Sequence, residues 1–363
     1  MKKIIAILLV VITVLGVCSC GSNDYAMKYG KTTISENEYM YLLSRYKAIF
    51  VTNYFGGQDN AEYWSMPIAE NGTTIEEFLM SVANENIKNN AVSLELFNNL
   101  GLKLTKEQIN SVDEYINTLI TKSGSKEALN SALSEFGVNS KDLREIYLKD
   151  EKIKAVKTAL FEEGAELELT DAERDDYYKS SYVRLKHIYI NNVMDYARDE
   201  EGDLIIDGDT GTYKTRNLSE TEKAEKTALA EGIYADILAG GNFDKHMLEH
   251  TADPAMTTFP DGYYVTLSST LLPTALIEDG FAMDDGEVKY VESEIGIHII
   301  KREPLADKAY ADTANVVFFT DFENTLMLSK LSDYLSSLSS DVLVNNEITD
   351  TFSLKTSGTN YLY

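Results

Sequence analysis

Five segments of this chain open with the same four-residue signal, and that repetition limits the fold more than any other feature. Ser35/Glu38, Thr74/Glu77, Thr105/Gln108, Thr170/Glu173 and Ser219/Glu222 each set Ser or Thr three residues ahead of Glu or Gln. At a helix start the hydroxyl accepts from the backbone N–H three residues on, and the acidic or amide side chain reaches back. Each pair heads a stretch with helical spacing. After Asn139, for example, Leu143, Ile146, Ile153, Val156 and Leu160 recur on one face with Lys and Glu between them. Residues from about 35 to 180 therefore read as all-helical. The exception is a loop marked by Gly56-Gly57, Pro67 and Asn71-Gly72. Ahead of the helices, Tyr25 to Ile34 has strand-turn-strand character around Gly30.

The texture changes at Tyr182. Val183 to Ile190 alternates and is rich in β-formers, which predicts a strand. Residues 193–216 are polar and rich in Gly and Asp, as in a surface insertion. A helix is expected from Ser219 to about Ala239, stopped by Gly240-Gly241, and a short one from Phe243 to His250. Strands are expected at 262–265 and 296–301, with a helix from Pro273 to Phe281 between them. Helical patterning returns from about 315 to 338, and 341–354 reads as a pair of terminal strands. The chain carries no internal repeat.

The N-terminus carries an export signal. Lys2 and Lys3 precede an apolar run, Ile4 to Val17, of signal-peptide length and short for a membrane span. The run ends in Val17-Cys18-Ser19-Cys20-Gly21, which resembles a bacterial lipobox: a small residue precedes the cysteine that receives the lipid. Ser19 fits that rule and Val17 does not, so Cys20 is the expected lipidation site and 1–20 the signal peptide. Residues 21–25 follow as a tether. Both cysteines of the chain lie here. Cleavage before Cys20 removes thiol catalysis, thiolate metal sites and redox pairs from the rest of the protein. A net charge of −26 argues against nucleic acid as a partner.

Residues 182–303 resemble the parvulin family of peptidyl-prolyl isomerases. The likeness rests on Lys186-His187-Ile188 in the first strand and on the turn Gly240-Gly241-Asn242-Phe243-Asp244. It continues through Thr251-Ala252-Asp253 and Phe281-Ala-Met-Asp-Asp-Gly-Glu-Val288 to the closing strand Gly296-Ile297-His298-Ile299-Ile300-Lys301. The layout of the whole chain resembles the foldase lipoproteins of Gram-positive bacteria and their SurA-like periplasmic relatives. The family's Gly-Gly-Asp-Leu-Gly stretch is altered here to Phe259-Pro260-Asp261-Gly262-Tyr263.

The resemblance implies an α+β protein: a helical chaperone-like body with an inserted parvulin-like domain, a small antiparallel sheet flanked by helices. The expected division is 26–176 for the helical domain, 178–303 for the isomerase domain, and 305–363 for a C-terminal helix and strands that return to the helical domain. It further implies that His187 and His298 lie together beneath the site and that Asp253 sits beside the substrate carbonyl. Tyr264, Leu272, Leu276 and Phe281 would form a proline pocket, with Leu276 facing the cleft. Neither cofactor nor metal is required, because turning an X-Pro bond makes and breaks no covalent bond. The expected protein is an extracytoplasmic foldase, lipid-anchored to the outer face of the bacterial cytoplasmic membrane through Cys20, with unfolded or partly folded exported proteins as partners. The alternative is a parvulin-fold chaperone of weak or no catalysis that only binds clients.

Two other motifs are weaker. His246-Met-Leu-Glu249-His250 matches the H-x-x-E-H signature of some metalloproteases, but it falls within one short helix and is set aside. Asp207-Gly-Asp209-Thr-Gly211 hints at a calcium loop, yet lacks the third acidic position and the closing Glu.

Overall fold

A computed structural model of the chain describes residues 25–69 and 71–361. The signal, the tether up to Asp24 and Cys20 lie outside the described residues. The described residues divide into two compact units: those up to 168 together with those from 330 onward, and residues 169–329.

The first unit begins with strands β1 (Tyr25–Tyr29) and β2 (Thr32–Ser35), which pair antiparallel across Gly30. Its helices are α1 (Glu36–Tyr54), α2 (Ala61–Trp64), α3 (Ile75–Asn99), α4 (Lys106–Lys122), α5 (Lys126–Leu133) and α6 (Ser140–Leu160). Thr74 and Thr105 make complete capping boxes. At α1 only half the box forms: Ser35 accepts from Glu38 N–H, but the Glu38 carboxylate goes to Lys149 on α6 instead. The apolar faces meet in a core that includes Tyr39, Leu43, Ile87, Leu129 and Leu143, all inaccessible to solvent.

The second unit runs from α7 (Asp171–Ser181) into β3 (Val183–Ile190), then a small hairpin of β4 (Met194–Tyr196) and β5 (Thr215–Asn217). Helices α8 (Glu220–Leu238), α9 (Phe243–His250) and α10 (Ala255–Thr258) lead to β6 (Tyr263–Val265). Helix α11 (Thr274–Ala282) precedes the closing hairpin, β7 (Val288–Ser293) and β8 (Gly296–Glu303). The main sheet is antiparallel in the order β6-β3-β8-β7. Its register sets Leu185, His187 and Tyr189 on the same face as His298, Ile300 and Tyr263, because directly paired residues share a face and alternate residues repeat it. Helix α11 covers that face closely. Gly280 on α11 lies so near Leu185 that a Cβ there would come within 2.5 Å of its Cδ1.

Beyond β8 the chain makes two short 3-10 turns, Ala309–Ala311 and Thr313–Phe318. It then enters α12 (Phe322–Ser339), within which it leaves the second unit. The second unit thus extends past 303 to Ser329 and begins at Leu169, wider than the sequence boundaries at 178 and 303. The expected terminal pair of strands is not what forms. Only β9 (Leu343–Val344) pairs, and it does so with β1; α13 (Asn346–Thr349) follows directly. The cause is Asn345, whose side chain accepts from Glu347 N–H and starts a helix turn where the alternation pointed to a strand. The tail beyond it is held by side chains: buried Lys47 donates to Ser357 O at 2.8 Å, and Thr359 Oγ1 to Asp59 at 2.8 Å. Among the described residues no helix is long and apolar enough to cross a membrane.

Candidate active site

Strands β3 and β8 are neighbours, and their register puts His187 diagonally next to His298 on one face. The two rings lie nearly parallel, and His187 Nδ1 is 3.3 Å from His298 Nδ1. Both imidazoles are buried. The outer nitrogen of His187, Nε2, lies 2.7 Å from Asp253 Oδ2. Asp253 comes from the loop between α9 and α10. Thr251 fixes that loop to the sheet edge: its hydroxyl accepts from Tyr189 N–H, while Ala252 N–H donates to Tyr189 O. Tyr263 Oη donates to the same Asp253 Oδ2 at 2.6 Å, and Ala255 N–H donates to Oδ1 at 2.9 Å. At the far end Ser293 Oγ lies 2.9 Å from His298 Nε2, and the Tyr189 ring stacks on His298 at 4.9 Å between centroids.

Charge follows from this geometry. The hydrogen bond from His187, helped by those from Tyr263 and Ala255, holds Asp253 down at about 2 against the cost of burial. Asp253 is therefore a carboxylate, and His187 Nε2 carries a proton. Burial, reinforced by His187, holds His298 down at about 4, so its ring stays neutral near pH 7. Burial and the neighbouring Asp253 push the Tyr263 hydroxyl up, so it remains a donor. With His187 neutral, donation runs from Ser293 through His298 and His187 to Asp253. One added proton reverses the two inner bonds without moving a heavy atom. Asp253 is the outermost member, with 18% of its side chain accessible.

The structure brings His187, Asp253 and His298 together and leaves the expected pocket residues elsewhere. Tyr264 pairs with Arg184, so it points to the opposite face, among Tyr178, Phe318 and Phe319. Its neighbour Tyr263 occupies the site face instead. Leu276 is wholly inaccessible and Leu272 nearly so; both are core, so Leu276 faces no cleft. Phe281 is half-buried and lines a hydroxyl-rich hollow with Ser268, Thr270 and Leu271. Ser293 is absent from the sequence reading, and Thr251 and Tyr263 enter it only as members of motifs, without a role at the site. The hydroxyls of Tyr263 and Tyr264 were the available signal, but they do not say which of the two turns to the site. The H-x-x-E-H helix holds no metal cluster: His246 Nε2 binds Asp236 at 2.8 Å, and no cluster of three metal-ligating side chains exists among the described residues. Asp207 spends its carboxylate on Asp209 and Thr210 N–H groups, as in an ordinary turn.

The first unit contains a separate apolar hollow of about 510 Å³, walled by Tyr54, Tyr63, Met66, Ile68 and Phe78. Four of these five, all but Tyr63, are about half or more exposed.

No family model and no curated protein matches the chain. Among solved structures it is similar to PrsA from Bacillus subtilis, at 16% identity over 76% of this chain and 88% of that one, with a TM-score of 0.24. It is similar also to the foldase protein PrsA from Streptococcus pneumoniae, at 17% identity over 79% and 98% of the two chains, TM-score 0.24. A third similarity is to SurA-like chaperones of Campylobacter jejuni, at 14% identity over 76% and 96%, TM-score 0.17. Whole-chain superposition is poor in each case.

Proposed function

We propose that this protein is an extracytoplasmic foldase whose second unit turns X-Pro peptide bonds and whose helical unit holds unfolded chains. The observation that supports it best is a buried histidine pair ending in one partly exposed, ionised carboxylate, Asp253. Rotation about an X-Pro bond has a barrier of about 18–20 kcal/mol. The planar amide owes that barrier to a resonance form with negative charge on oxygen. A fixed carboxylate beside the carbonyl disfavours that form and so favours the twisted amide; each 1.4 kcal/mol or so of such preference is about tenfold in rate. His187 and Tyr263 keep Asp253 ionised and aimed, and His298 holds His187. The sequence likeness of 182–303 to parvulins points the same way. In the helical unit, the apolar hollow suits bulky side chains of an unfolded client. The Ser19-Cys20 motif supports a lipid anchor to the outer face of the cytoplasmic membrane.

A second reading has its own observation. Asp253 Oδ2 is already shared by two donors, and the leucines expected to grip proline are core residues. A parvulin-like unit of this kind binds clients without catalysis. Exchange spectroscopy on a short Ala-Pro peptide with the full chain separates the two. Catalysed exchange that drops at least tenfold in Asp253→Ala supports the isomerase; no catalysis by the wild type leaves the chaperone. Labelling with a fatty-acid analogue tests the anchor: incorporation should vanish in Cys20→Ala although Cys18 is intact.

A further inference from the structure

The segment between β3 and α8 is an ordered arm. Its base is closed by Leu218 N–H donating to Val193 O, three residues past the end of the strand that carries His187 and Tyr189. Beyond the paired β4 and β5, Ala197 N–H donates to Lys214 O, Ile205 N–H to Ala197 O and Lys214 N–H to Ile205 O, and isolated bridges join Arg198 to Leu204 and Ile206 to Tyr213. This register places Met194, Tyr196, Ile206 and Tyr213 on one face, and the Tyr196 and Tyr213 rings touch at 5.7 Å. All four are between 44% and 59% exposed. So small a ribbon gains little from pairing alone in water, and an uncovered apolar face on it marks a contact surface.

The charge around that face identifies what it contacts. Residues 193–217 hold seven Asp or Glu against three Lys or Arg. Arg216 is paired with Glu222, Lys214 lies near Asp207, and Arg198 donates to Gly202 O. Glu200, Glu201, Asp203 and Asp209 are exposed at the turns and pair with no cation among the described residues. An apolar stripe rimmed by unpaired carboxylates complements a chain that presents both cations and bulky apolar side chains.

We propose that this arm docks extended, net-basic, apolar segments of unfolded polypeptide and so sets the client class of the adjoining site, a claim that rests on the foldase reading of that site. Binding of two labelled, proline-free peptides to the full chain tests it by fluorescence anisotropy. Both carry the same aromatic and aliphatic residues; one has Lys and Arg between them, the other Glu. The basic peptide should bind at least tenfold tighter than the acidic one, and more weakly as salt rises. Ile206→Ser with Tyr213→Ser should weaken it at least tenfold. Asp203→Lys with Asp209→Lys, which leaves the apolar face intact, should weaken it at least fivefold. Equal binding of the two peptides, no binding of the basic one, or full affinity in both double variants overturns the proposal. Because the peptides lack proline, that failure leaves the isomerase reading untouched. Conversely, absent X-Pro exchange with the binding pattern intact removes the isomerase and keeps the arm.

Discussion

His298 offers the sharpest test of the buried network, because its charge is tied to folding. Burial first, and His187 second, hold it at about 4 against an ordinary 6.5. That difference corresponds to about 3 kcal/mol at ~1.4 kcal/mol per pH unit. The folded state favours the neutral ring, so the contribution is complete above pH 6.5 or so and is lost as pH falls toward 4. The perturbation is His298→Asn, which keeps an N–H within reach of His187 but takes up no proton. Denaturant unfolding of the full chain is followed at several pH values between 7 and 4 through signals of the second unit. The wild type should lose about 3 kcal/mol more than the variant across that range. Carboxylates common to both proteins cancel in the difference. The chain has only four histidines, so their ring signals can also be titrated one by one by NMR. Parallel stability curves for the two proteins, or a His298 ring that titrates near 6.5, would refute the burial argument.

Tyr263→Phe removes one of two donors to Asp253 Oδ2; the carboxyl, followed by carbon NMR, should titrate upward from about 2, with a loss of stability of about 1 kcal/mol. Leu276→Asp places a charge in the core beneath the sheet and should unfold the second unit, whereas Leu276→Ala should cost about 2–5 kcal/mol in denaturant melts. Gly296→Ala should cost at least about 1–3 kcal/mol, since its φ is +150° and a Cβ would lie 2.6 Å from Ile190 O; an unchanged melting curve would show that the β7–β8 turn has another geometry.

Helix starts were readable because a capping signal is local: the side chain and the N–H it serves are three residues apart. The boxes at Thr74, Thr105, Thr170 and Ser219 all form in full. The α+β class came from the resemblance, with the local texture in agreement. The histidine pair was readable only through the strand motifs that carry it. The walls of the site were not, because side-chain direction in a strand inverts with each residue. In Tyr263-Tyr264 the sequence offers two equal aromatics, and only the pairing of β6 with β3 decides which one meets Asp253. Leu276 misled for a related reason. An apolar residue on a helix over the sheet serves as pocket or as core according to how closely the helix approaches, and Gly280 brings α11 down onto Leu185. In 341–354, one Asn side chain outweighed a weak alternation.

The pairing of β9 with β1 reverses the order of assembly relative to the order of synthesis. Strand β1 is made near the start of the chain, yet its partner at Leu343–Val344 is made near the end. Lys47, already paired with Asp59, gains the carbonyl of Ser357 later still. All of the second unit lies between. As the chain emerges from its N-terminus, that intervening unit can complete its own sheet as soon as its last strand is out. The helical unit must meanwhile persist with its first strand short of one neighbour. An unpaired strand edge is a template for any extended chain nearby. On the foldase reading proposed above, a half-emerged molecule of this protein is, for a time, itself the kind of extended, unpaired chain that such a protein would hold.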